Sequence, residues 1–132
     1  MPVYLRFVSA RRVEGMQARE GFFQLAGVLA EDPLTEAATV ARLDELRQWF
    51  ADNLELPERF SRGRGKGGSD DTRGLSWFKP SAKEHVARAF ELKRILDEHG
   101  TPIDVLKESR IGYLVYEDEH QVVAEPFADT RQ

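Results

Sequence analysis

The chain has 132 residues, 41% hydrophobic and 32% charged, with a formal net charge of −4 and no cysteine. Absence of cysteine excludes disulfides, thiolate metal sites and cysteine nucleophiles, and it fits a reducing compartment. The mildly acidic balance argues against nucleic-acid binding over the whole surface and confines such a role to a local patch.

At this length a single domain over residues 1–132 is expected, able to bury roughly two-thirds of its unfolded surface. MPVYLRFVSARR lacks the apolar run of a signal peptide, and nothing later approaches a membrane span. The expected location is therefore cytoplasmic, with no membrane partner.

In chain order, Val3 to Ser9 alternates as a strand does, with Val3, Leu5 and Phe7 on one side. Phe22 to Ala30 suits a short helix that Asp32-Pro33 ends. A second helix is predicted from Thr35, as N-cap, to Leu54. Its Val40, Leu43, Leu46, Phe50 and Leu54 recur at three- and four-residue spacing, and Trp49 widens the stripe.

A third helix opens on the capping box Ser81-Ala82-Lys83-Glu84 and runs to His99, before Gly100-Thr101-Pro102. Val86, Ala89, Phe90, Leu92 and Leu96 form its inner side. The rest reads as β: Ile103 to Lys107, Gly112 to Glu117, and His120 to Glu125 after a tight turn at Asp118-Glu119. The order implies an α+β fold. Its small antiparallel sheet joins the N-terminal strand to a C-terminal three-stranded meander, with about three helices on one face and a polar, solvated face opposite.

Between the second and third helices lies RFSRGRGKGGSDDTRGLSWFK, residues 59–79. Arg59, Arg62, Arg64, Lys66, Arg73 and Lys79 face only Asp70 and Asp71, a local excess of +4 that leaves −8 for the remainder. Five of the ten glycines sit here as well. Gly63 to Gly68 satisfies G-x-G-x-x-G, but no strand precedes it and no helix opens on it, so a dinucleotide site is rejected. A phosphate-binding P-loop fails too, because Gly67 and not serine or threonine follows Lys66.

Ordering about fifteen such residues costs on the order of 15–30 kcal/mol of backbone entropy, with little apolar surface to offset it. A flexible basic loop over about 59–76 is expected. Its cations suit phosphates, with Phe60 or Trp77 stacking on unpaired bases, so nucleic acid or an acidic protein is the natural partner. Against this stand two plainer readings: a solvated surface loop, and Trp77-Phe78 anchoring the return to the core.

Glu117-Asp118-Glu119-His120 is the densest group of potential ligands, but one turn supplies few convergent oxygens, so solvated hairpin charges are expected. His85 and His99 have no metal-ligand spacing to another histidine, and no G-x-S-x-G is present. No metal or resident cofactor is implied.

Two resemblances extend this reading. Arg6 in the first strand, Ser76 at a loop-to-helix junction and Glu117-Asp118-Glu119 before the last strand resemble the pattern of ADP-ribosyltransferases. That likeness implies NAD as substrate, Glu119 as catalytic carboxylate, Arg6 as phosphate contact and Ser76 as scaffold. The chain departs from the family in lacking S-T-S around Ser76 and in its long helical stretch from Phe22 to Leu54. RFS, GLSWFK, AKEH and GYLVYEDEHQVVAEPF, spread over most of the chain, look similar to a family of bacterial proteins with no activity to transfer. That resemblance implies a bacterial origin and leaves function open.

Overall fold

Alternating apolar side chains draw Tyr4–Arg12 into a strand, β1, that buries Leu5, Phe7 and Val8. The computed structural model describes residues 2–12, 19–54 and 75–127. After β1 come β2 (Arg19–Gly21), α1 (Phe22–Glu31), α2 (Ala37–Asn53), β3 (Leu75–Phe78) and α3 (Lys83–Glu98). β4 (Ile103–Glu108), β5 (Tyr113–Glu117) and β6 (Gln121–Glu125) complete the order. The fold is α+β, as the sequence predicts. Among the described residues no helix is long and apolar enough to cross a membrane.

The strands pair in the order β2-β1-β3-β6-β5, and β4 also pairs β1. Thus β5 and β6 form a hairpin, while β4 pairs away from them. The expected three-stranded meander is corrected to this arrangement. The difference comes from β3, which periodicity missed because LSWF is too short to show a period. It lies between β1 and β6, with Leu5 opposite Phe78 on one side and Leu75 to Phe78 opposite Ala124 to Gln121 on the other.

The described residues fall into two compact units. One holds residues 7–12, 19–54 and 87–105. Here Phe7 stacks on Phe22 of α1 at 5.1 Å and meets Phe90 of α3 edge-on at 5.0 Å. Phe23 continues the cluster to Phe50 of α2. Each such ring pair adds about 0.5–1.5 kcal/mol beyond its burial. α2 faces inward with Leu43, Leu46 and Phe50, and α3 with Ala89, Leu92, Ile95 and Leu96. Phe90 stays 41% exposed, half outside the face its spacing predicts.

Arg42 grips Glu91 with two nitrogens, and this hydrogen bonding outweighs burial in holding the Glu91 carboxyl below its ordinary range. Thr35 is not the N-cap of α2; Glu36 holds that place without a side-chain bond. The Thr35 hydroxyl instead donates to the Leu29 carbonyl at the end of α1.

The other unit holds residues 2–6, 75–86 and 106–127. Its core is Leu5, Trp77, Phe78, Ala82, Leu106, Ile111 and the centre of β6. Every residue of β6 is buried, Gln121 and Glu125 included. The polar, solvated sheet face expected from alternation is absent at this strand, because β6 pairs on both edges and is covered on both faces. Gly112 makes the approach of β5 to β6 possible. Its φ is +137°, and a Cβ there would run into the Glu125 carbonyl. Gly112→Ala is expected to destabilise the fold by about 2 kcal/mol or more, read as a lower urea midpoint at unchanged m-value.

Candidate functional site

Arg6 and Ser76 meet where β1 pairs β3. A four-residue strand must have its carbonyls satisfied by neighbours, and Arg6 contributes by donating from Nη1 to the Ser76 carbonyl at 3.2 Å. Ser76 is therefore a strand residue on β3, not part of a loop-to-helix junction. Its hydroxyl donates to Gln121 Oε1 at 2.8 Å, and Gln121 Nε2 donates to Asp118 Oδ2 at 3.2 Å. Tyr116 closes the chain, its hydroxyl donating to the same oxygen at 2.9 Å.

Asp118 is where these bonds converge. Its Oδ1 accepts the main-chain N–H groups of His120 and Gln121 at 2.8 and 3.0 Å, and its own N–H donates to the Gln121 carbonyl. Burial pushes its carboxyl up, but the bonds from His120, Tyr116 and Gln121 outweigh that, and the net direction is down. A carboxylate accepting four hydrogen bonds is a structural anchor; it has no lone pair to spare for proton transfer. The Ser76 proton likewise points to an amide oxygen, which is no base.

Glu119, the candidate catalytic carboxylate, sits at the tip of the turn with 90% of its side chain exposed, 3.8 Å from His120 Nε2. The structure brings Arg6 and Ser76 together and leaves Glu119 facing water. On the other side of the turn His120 stacks on the buried His85, ring centroids 4.1 Å apart and 23° from parallel. Among the described residues no three His, Asp or Glu side chains are placed to hold a metal ion.

Of the basic residues, Arg59, Arg62, Arg64, Lys66 and Arg73 lie outside the described residues, as do Phe60 and the glycine run. Lys79 is in place and engaged, its Nζ 2.7 Å from Glu117. Its N–H also donates to the His120 carbonyl, tying the end of β3 to the turn. Trp77 is 1% exposed on β3, so its ring belongs to the core and offers no stacking surface. A shallow, open depression follows α2 past Asp44, Glu45, Gln48, Trp49 and Asp52. Two of its three carboxylates, Glu45 and Asp44, are paired with Arg42 and Arg47.

Sequence reading missed Tyr116 and Gln121. Gln121 leads QVVAE, and its only signal was a polar residue opening an apolar strand, which reads as a solvated end until the strand is seen to be central. Comparison with protein-family models, curated proteins and solved structures found no match to the chain.

A lowered folded pKa means that Asp118 stabilises the fold above the ordinary value of 3.8 and loses that contribution as pH falls through its folded value. Asp118→Ala, which strands two turn amides, is expected to cost about 1–3 kcal/mol at pH 7. Asp118→Asn keeps an acceptor, and its deficit against wild type should shrink from pH 7 to pH 3. Equal deficits in urea titrations at both pH values would contradict the assignment.

Proposed function

We propose that the protein is a small non-catalytic binding module that takes an anionic partner through residues 59–79. The observation that carries this reading is the charge distribution: +4 in that segment against −8 elsewhere. An acidic body limits indiscriminate attachment and leaves attraction to one stretch. Within it Lys79 is held by Glu117 and Trp77 by the core, so Arg59, Arg62, Arg64, Lys66 and Arg73 carry the contact. Their partner is a nucleic acid or an acidic protein surface, met through phosphates or carboxylates without base-edge readout.

Replacing Arg62, Arg64 and Lys66 together by alanine tests this. Retention on heparin and on single-stranded DNA should fall with the melting temperature unchanged. If all three neutralise phosphates, the salt slope on single strands should shrink by about 2. Unchanged retention would end the reading. Retention lost on an acidic protein column but never seen on DNA would assign the protein partner.

A second reading, an NAD-dependent ADP-ribosyltransferase-like enzyme, gains from one observation: Arg6 and Ser76 are joined across β1 and β3. It ranks second because Glu119 is exposed at the turn tip and the Ser76 hydroxyl is committed to Gln121. It requires millimolar NAD to raise the melting temperature by mass action. Glu119→Gln would then abolish turnover and leave the fold intact. No shift with NAD would dispose of it.

A further inference from the structure

We draw no further inference here: the strongest candidate, the edge strand β5 with Tyr113 and Leu114 exposed side by side, is an apolar surface patch, and nothing in the structure shows what covers it.

Discussion

The Asp118 carboxylate is the constraint on which one whole unit depends. It closes the β5–β6 turn through two main-chain amides and holds Gln121 through its side chain. Gln121 in turn fixes Ser76, and Ser76 sits where Arg6 of β1 reaches across. A buried polar side chain is costly unless it finds partners, so the bonds from Ser76 and to Asp118 are what allow Gln121 to be buried at the start of β6. The candidate catalytic constellation is thereby drawn into holding the sheet together. Two of its members meet for structural reasons, which is why their meeting is weak support for chemistry.

The other unit is organised differently. Phe7 is a single apolar side chain on β1 against which α1 and α3 both lay aromatic rings, and Phe23 passes the packing on to α2. The Arg42–Glu91 clasp then sets α2 against α3 at a half-exposed position, where water screens much of its worth. One unit is thus specified by directional bonds and the other chiefly by shape.

The helices were legible because each is long enough for its apolar spacing to repeat. Leu43, Leu46 and Phe50 lie where a 3.6-residue period puts them, and the proline at 33 and the glycine at 100 mark real ends. β5 and β6 were legible from alternation and the acidic turn between them. What escaped was β2, only three residues long, and β3: four residues, two of them aromatic, directly after a glycine-rich stretch. Trp77 and Phe78 read well as core anchors, yet nothing local says that they anchor a strand. Strand order and the burial of Gln121 follow from β3, so they escaped with it. Of the site, Arg6 and Ser76 were found by analogy, whereas Asp118 was seen only as one charge among several. Its role needs the turn geometry, which composition does not encode.

The two tryptophans of the chain are divided between the two units. Trp77 lies sealed in β3, while Trp49 of α2 is half-buried with the Arg88 guanidinium 4.4 Å above its ring. Their surroundings differ in polarity and in access to quencher, so their emission spectra separate: a blue component shielded from iodide and a redder, quenchable one. The protein carries a built-in optical reporter for each half, able to reveal whether the two melt together or one after the other without any label being attached.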